Sequence, residues 1–146
     1  MPTHIWTVLC RKGIIDSENN NITLSDVIEK INIEFKKTPE SPQVSEGGGI
    51  FFPFEHELVS LFQVKPNDDF DILVDFLDPL QSVINSQAYA VKVQAGNTRI
   101  RNKLKIPGLP VKESGIYAYR VGIKEKGSGK AQIVAEIPLE IEVKIG

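Results

Sequence analysis

The chain has 146 residues and a formal charge of −2, with 41% hydrophobic and 25% charged residues. These values are typical of one globular domain spanning residues 1–146, long enough to bury a core. The charge balance favours neither nucleic acid nor an anionic membrane as a partner. A single cysteine, Cys10, excludes an internal disulfide.

The N-terminal segment MPTHIWTVLCRKG has no basic stretch followed by an apolar run, so no signal peptide is predicted. No window approaches the roughly 18 apolar residues of a spanning helix. We therefore expect a soluble protein located in the cytoplasm.

The first third of the chain predicts short strands and one ambiguous segment. Residues 5–10 (IWTVLC) are rich in strand-forming types, and Arg-Lys-Gly at 11–13 is expected to interrupt the strand. Residues 16–21 (DSENNN) predict a turn. Residues 22–35 fit both helical spacing and strand alternation. We favour a strand over 31–35 and leave 25–30 open between helix and strand.

Residues 36–49 (KKTPESPQVSEGGG) predict a long surface loop, because they hold two prolines, three glycines and almost no apolar side chain. The apolar segment IFFPF follows at 50–54. Its three phenylalanines, Phe51, Phe52 and Phe54, cannot all point inward from one extended strand. They are candidate interaction residues if exposed, or core residues if a second layer or the long loop covers them.

The remaining sequence alternates with the period of two that marks half-buried strands. The clearest cases are residues 70–77, 116–124 and 133–145. Further strands are predicted at 58–64, 89–93 and 99–106, with a turn at Gly127-Ser128-Gly129. Seven to nine strands with regular turn signals predict an all-β antiparallel sandwich.

One face of the strand at 99–106 carries a basic stripe, which consists of Arg99, Arg101, Lys103 and Lys105. The stripe could dock on phosphates or on an acidic protein. It could equally be a solvated face paired across strands with Asp71 or Glu140. No exposed aromatic is interleaved with it, as single-stranded nucleic acid binding would favour. A protein partner, or a second copy of the chain, is therefore the preferred expectation.

The segment Glu113-Ser114-Gly115-Ile116-Tyr117 resembles the corner before strand F of immunoglobulin-like sandwiches. In those domains an acidic residue and a glycine precede a tyrosine whose hydroxyl bonds back across the corner. The resemblance makes Gly115 and Tyr117 structural residues. Tyr119 stands where antibody domains have cysteine, and the strand-C tryptophan is missing because the only tryptophan is Trp6.

A wider resemblance covers most of the chain. The segments VLC, NNNITLSDVIEKI, FFPF, FLDP and SGIYAYRV resemble a group of small, functionally uncharacterised bacterial proteins with an immunoglobulin-like sandwich. The group implies no established activity, so the resemblance implies no catalytic residue and no cofactor.

Motifs that could carry chemistry are incomplete. Gly127-Ser128-Gly129-Lys130 lacks the upstream glycine and the following Ser or Thr of a phosphate-binding loop. His56 lies between two glutamates, but adjacent strand residues point to opposite faces. Cys10 is expected to be a buried thiol. No metal, cofactor or catalytic residue is predicted.

The aspartates between positions 68 and 78 raise the possibility of a calcium-responsive sandwich, with Asp68, Asp69 and Asp78 as candidates. However, Asp68 and Asp78 lie at opposite ends of one predicted strand, roughly 30 Å apart. The sequence thus favours a non-catalytic module that binds a protein or a ligand. A calcium- or phospholipid-responsive domain and an unrecognised enzyme are the alternatives.

Overall fold

The computed structural model describes residues 1–35 and 50–145, so the predicted loop at 36–49 lies outside the described residues. In the described part, nine strands account for all of the regular secondary structure. They are β1 (Thr3–Ile15), β2 (Ile22–Val27), β3 (Lys30–Phe35), β4 (Ile50–Gln63), β5 (Asp69–Leu77), β6 (Val83–Lys92), β7 (Arg99–Val111), β8 (Gly115–Glu125) and β9 (Gln132–Ile145).

The strands form two packed sheets, which confirms the predicted all-β sandwich. The four-stranded sheet has the order β2-β1-β4-β7, and the five-stranded sheet has the order β3-β9-β8-β5-β6. All neighbouring strands are antiparallel except β3 and β9, which are parallel. The shared core is built from inward residues of both sheets, among them Leu58, Phe62, Phe70, Ile72, Leu109, Tyr117, Val121, Ile123 and Ile141.

The alternation read from the sequence holds in the central strands β5 and β8. Phe70, Ile72, Val74 and Phe76 are all buried, and so are Tyr117, Tyr119, Val121 and Ile123. The two strands lie side by side in the five-stranded sheet. The inner face of each strand is covered by the other sheet. The position of a residue in the strand therefore decides whether its side chain lies in the core or on the outer face.

Strand β1 does not stop at Arg11, as the sequence predicted, but continues to Ile15. Its pairing with β4 ends at Cys10, and from there it pairs with β2. The chain then changes sheets: the Ile28 N–H donates to the Leu9 carbonyl at 2.8 Å, and β3 joins β9. Over residues 25–30 no helix forms: 25–27 belong to β2, 28 and 29 link the strands with a bend at 29, and β3 begins at Lys30.

Two expected interruptions are absent from β4 and β7. IFFPF and the strand at 58–64 form one element, with a bulge between Pro53 and His56. The strand predicted at 99–106 does not end at Ile106 but continues as β7 to Val111. Pro107 lies opposite the bulge, where the ladder with β4 is interrupted, and Pro110 lies near the end of an edge strand.

Strand β9 departs from its predicted pattern near its start. Ile133 begins the alternation predicted over residues 133–145, yet its side chain is 58% exposed. The register shifts between Val121 and Gly122, so that one extra residue on β9, Val134, lies opposite this step. Such a bulge reverses the faces beyond it, and Val134 packs against the core in place of Ile133.

The corner before β8 is closed by Tyr117. Its hydroxyl donates to the Glu113 carbonyl at 2.7 Å and accepts the N–H groups of Lys112 and Glu113 at 3.2 Å. Gly115 has φ +158°, and a Cβ there would lie 2.6 Å from the Pro79 ring. Both residues therefore stabilise this corner of the chain.

Candidate binding cleft

The sandwich is open on the side where its edge strands β6 and β7 face each other. A cleft of about 330 Å³ lies between these strands and reaches down to the core. We call it the edge cleft. Residues of β4, β5, β6, β7 and β8 line it, so its shape depends on the packing of both sheets.

The floor of the edge cleft is apolar and aromatic. It includes Val74 and Phe76 from β5, Leu104 from β7 and Tyr119 from β8. The Phe76 ring lies 4.8 Å from the Tyr119 ring and 5.5 Å from the Tyr117 ring, between centroids. These side chains are locked by core packing, so the floor is preformed and costs little ordering on binding.

Phe51 forms part of the rim and is 48% exposed. Its ring lies against Gly108 of β7: a Cβ on that glycine would be 2.5 Å from the ring and 2.5 Å from the Phe52 carbonyl oxygen. A side chain at position 108 would thus displace the ring. The other two phenylalanines of the segment, Phe52 and Phe54, are partly buried and pack against the core.

The wall formed by β6 is polar. Asn85 and Gln87 lie opposite Phe76 and Val74, so their side chains face the cleft. The Tyr89 hydroxyl donates to the Gln87 side-chain oxygen. Amides beside an apolar floor provide donors and acceptors that can orient a bound ligand. Sequence reasoning missed both residues, although the three polar residues NSQ inside a largely apolar strand were a visible signal.

A buried His-Tyr pair supports the cleft from below. His56 Nδ1 lies 2.8 Å from the Phe54 carbonyl, which identifies it as the protonated nitrogen. Nε2 then accepts the Tyr119 hydroxyl at 2.7 Å. Burial lowers the pKa of His56 and raises that of Tyr119. Both groups are held neutral at neutral pH, so the pair positions the Tyr119 ring in the floor.

A second cavity of about 460 Å³ lies where β1 turns away from β4. We call it the basic cavity, because exposed Arg11, Lys12 and Lys105 line it, against one exposed carboxylate, Glu55. The Arg11 guanidinium carbon lies 4.5 Å from the centroid of the Phe54 ring, which fixes that side chain by a cation–π contact. Residues 105–107 line both cavities, so they are neighbours.

The predicted basic stripe divides into two parts. Lys103 Nζ donates to the Gly13 carbonyl at 3.0 Å, and Arg101 donates to the Asn20 carbonyl at 3.0 Å. These two side chains hold the β1–β2 hairpin against the outer face of β4 and β7, so they serve within the chain. Arg99 and Lys105 are the two stripe residues whose side chains are exposed.

Glu57 completes this attachment of the hairpin. It is buried, accepts the Gly13 N–H at 2.9 Å through Oε1, and has Lys103 Nζ 3.7 Å from Oε2. The cross-strand partner of the stripe is therefore Glu57, and neither Asp71 nor Glu140 takes that place. The sequence could not identify it, because the contact requires the hairpin to cross the face of its own sheet.

The aspartates considered for calcium have local structural partners. Asp68 accepts the Lys65 N–H, and Asp78 accepts the N–H groups of Leu80 and Ser82. Asp69 pairs with Lys126 at 3.3 Å. Within residues 1–35 and 50–145, no three His, Cys, Asp or Glu residues are grouped as a metal site would require. The carboxylates cap turns and balance neighbouring lysines.

Cys10 is fully buried on the last pair between β1 and β4. Burial raises the pKa of its thiol, and the neighbouring Glu57 carboxylate adds to the effect. The thiolate is the reactive form, so the environment disfavours reactivity.

The chain matches no protein-family model and no curated protein sequence. Among the described residues, no helix is long and apolar enough to cross a membrane.

We expect the free energy of unfolding to decline as the pH falls below about 6.5, the ordinary histidine value. Burial lowers the pKa of both His56 and His4 in the folded state. The unfolded chain therefore binds protons first, and stability present above pH 6.5 is lost toward the folded-state pKa values. Urea titrations between about pH 7 and 5 measure this slope.

His56→Gln should flatten this decline, because it removes one of the two depressed histidines, and His4→Gln is the matched control for the other share. If the His56→Gln variant keeps the wild-type slope, His56 is not held neutral by burial.

Proposed function

We propose that the protein is a non-catalytic interaction module that receives an apolar side chain of a protein partner in the edge cleft. The supporting observation is the cleft itself: a preformed aromatic floor that opens to solvent between two edge strands, with amides on one wall. Such a combination of apolar depth and few polar groups is typical of binding sites.

Exposed apolar side chains surround this site. Ile84 of β6 and Phe51 across from it line the cleft, and both are exposed. Leu80 and Val83, just before Ile84 in the chain, are exposed as well. Scattered apolar residues are normal on a surface, but a group around a concave site marks an interface. The segment 51–54 thus contributes to binding mainly through Phe51.

The proposal includes an immunoglobulin-like sandwich. Strands β9, β8, β5 and β6 lie in the order of the G, F, C and C′ strands of such domains, and β4 and β7 pair as B and E do. The hydroxyl of Tyr117 bonds back to Glu113 as a tyrosine corner does. On this assignment β2 takes the place of strand A, and β1 is an extra strand between β2 and β4 in the sheet.

A catalytic role has less support, because the polar groups at the cleft are poorly suited to it. Tyr119 and His56 are both held neutral and hydrogen-bonded to each other. The other polar side chains are amides and the exposed Lys105. Tyr119 donates to His56, but burial raises the pKa of the Tyr119 hydroxyl and so disfavours the phenolate that would attack a substrate.

The calcium alternative gives a simple expected result. Asp68, Asp69 and Asp78 already bind backbone N–H groups or Lys126. We expect millimolar calcium to leave the melting temperature unchanged, whereas an ion bound to the native state would raise it. A clear rise in a thermal-shift titration would restore the calcium hypothesis.

Filling the cleft tests the proposed function. Asn85→Trp places a large ring in the cleft from the exposed wall, while Ile133→Trp adds the same ring to an exposed position on β9. A random-peptide display library is selected on the wild type. We expect the selected peptides to bind Asn85→Trp at least about tenfold more weakly, a loss of about 1.4 kcal/mol, and to bind Ile133→Trp as they bind the wild type. Equal binding to both variants would contradict the proposal.

A further inference from the structure

We infer that the partner segment binds as an added β-strand on the free edge of β6 and carries acidic residues beside its apolar anchor. The inference rests on the proposed function and specifies the occupant of the edge cleft. Strand addition supplies affinity through main-chain hydrogen bonds, and a neighbouring pocket supplies specificity through alternate side chains.

Among the sheet edges of the described residues, β6 is the least protected. The edge strands β2 and β3 have only six residues each. Strand β7 carries four basic residues and two prolines, both of which discourage edge pairing. Strand β6 has ten residues, no proline and one charged residue, Lys92 at its end. Its edge can therefore accept another strand over most of its length.

The ladder between β5 and β6 shows which main-chain groups are free. The Val93 N–H donates to the Asp68 carbonyl at 2.9 Å, and the register is regular from Lys92 to Asn85. The N–H groups of successive residues in an antiparallel strand point alternately toward and away from the neighbouring strand. Since the Val93 N–H points toward β5, the N–H groups of Ser86, Ala88 and Ala90 point away from it. These are the donors that an added strand would use.

An added strand would also place side chains in the edge cleft. Asn85 and Gln87 face inward over the cleft, and side chains of neighbouring strands at matched positions share a face. Residues of the added strand beside them therefore project toward Phe76 and Leu104. One apolar side chain in alternation with outward residues would fill the space between β6 and β7.

The positive charge around the edge cleft favours acidic residues next to the apolar anchor of the partner segment. Lys105 borders the edge cleft and the basic cavity, where Arg11 and Lys12 are also exposed. A carboxylate beside the apolar anchor would meet these cations, and opposite charges across an interface favour association and register. A segment with apolar and acidic residues is thus the best chemical match.

A second copy of this chain fits less well. Pairing of two β6 strands around a two-fold axis would bring the β7 edges of the two molecules together. Arg99 and Lys105 are exposed on β7, so like charges would face each other, which disfavours association. An isolated extended segment has no such penalty.

Proline on the outer side of β6 tests strand addition. Ala88→Pro removes an N–H that points away from β5 and leaves the β5 ladder intact, while Ala88→Val keeps the N–H. Peptides selected from the random display library on the wild type are titrated against both. We expect Ala88→Pro to bind the peptides at least about tenfold more weakly and Ala88→Val to bind them as the wild type does. We also expect the selected peptides to contain acidic residues, and Lys105→Glu to lose the preference for them. Ala90→Pro repeats the test if Ala88→Pro does not fold.

The outcomes separate the two proposals. Equal binding to Ala88→Pro with loss on Asn85→Trp would overturn strand addition and leave the cleft as the site. Binding insensitive to Asn85→Trp would overturn both. A wild-type dimer in light scattering that Ala88→Pro dissociates would make a second copy the occupant and overturn the inference. Selected peptides without acidic residues would overturn the charge preference.

Discussion

Glu57→Ala should lower the free energy of unfolding by about 2–4 kcal/mol. The buried carboxylate accepts the Gly13 N–H and faces Lys103, so its loss leaves a buried donor and an ammonium without their anion. Lys103 retains some hydration because its side chain is 27% exposed, which keeps the effect below that of a fully buried pair. Urea unfolding measures the change directly.

The neighbouring Glu55→Ala variant is the matched control, since Glu55 lies on the same strand but is exposed. It should change stability by no more than about 0.5 kcal/mol. We also expect Glu57→Ala to make the β1–β2 hairpin more sensitive to limited proteolysis, because Gly13 is one of its attachments. Two variants of equal stability would show that the hairpin is held by other contacts.

The second large effect is expected for Tyr117→Phe, at about 1–3 kcal/mol of lost stability. The ring is fully buried, and its hydroxyl both donates to the Glu113 carbonyl and accepts two backbone N–H groups. Phenylalanine preserves the stack on Phe76 and removes only these hydrogen bonds. Peptide binding at the edge cleft should be unchanged.

Tyr89→Phe provides the comparison, because that hydroxyl contacts Gln87 on the exposed strand β6. Its loss should cost much less, since water can replace the contact. A Tyr117→Phe variant as stable as the Tyr89→Phe variant would mean that the corner does not depend on its hydroxyl.

Much of the fold could be predicted because alternation determines which face of a strand is buried. Residues 70–77 and 116–124 alternate strictly, and both are central strands with buried inner faces. Pro138 has no N–H to donate, so within a strand it requires a bulge or a free side. It lies opposite Ala118 of β8, at a point before the pairing of β3 with β9 begins at Glu140.

Other features depend on contacts distant in sequence. The β1–β2 hairpin crosses the outer face of its own sheet, so Arg101 and Lys103 bind the carbonyls of Asn20 and Gly13. From the local sequence pattern alone, both side chains would be expected to be solvated. The exposure of Ile133 cannot be predicted from local sequence either, because a bulge is defined by the pairing with the partner strand.

The candidate site was predicted only in part. Phe51 and Lys105 were named from composition and alternation, and both border the edge cleft. The cleft itself arises because β6 and β7 end different sheets on the same side of the sandwich, which requires the topology. Asn85 and Gln87 line a cleft only because of that arrangement of the two sheets.

Amide hydrogen exchange at β6 is the most direct test of the account. In the free protein the N–H groups of Ala88 and Ala90 point away from β5 and should exchange rapidly. Addition of a selected peptide should slow their exchange, because these N–H groups become hydrogen-bonded to the added strand. The N–H groups of Gln87 and Tyr89, which point toward β5, should stay protected as before. Unchanged exchange at Ala88 and Ala90 in the presence of saturating peptide would contradict strand addition at this edge.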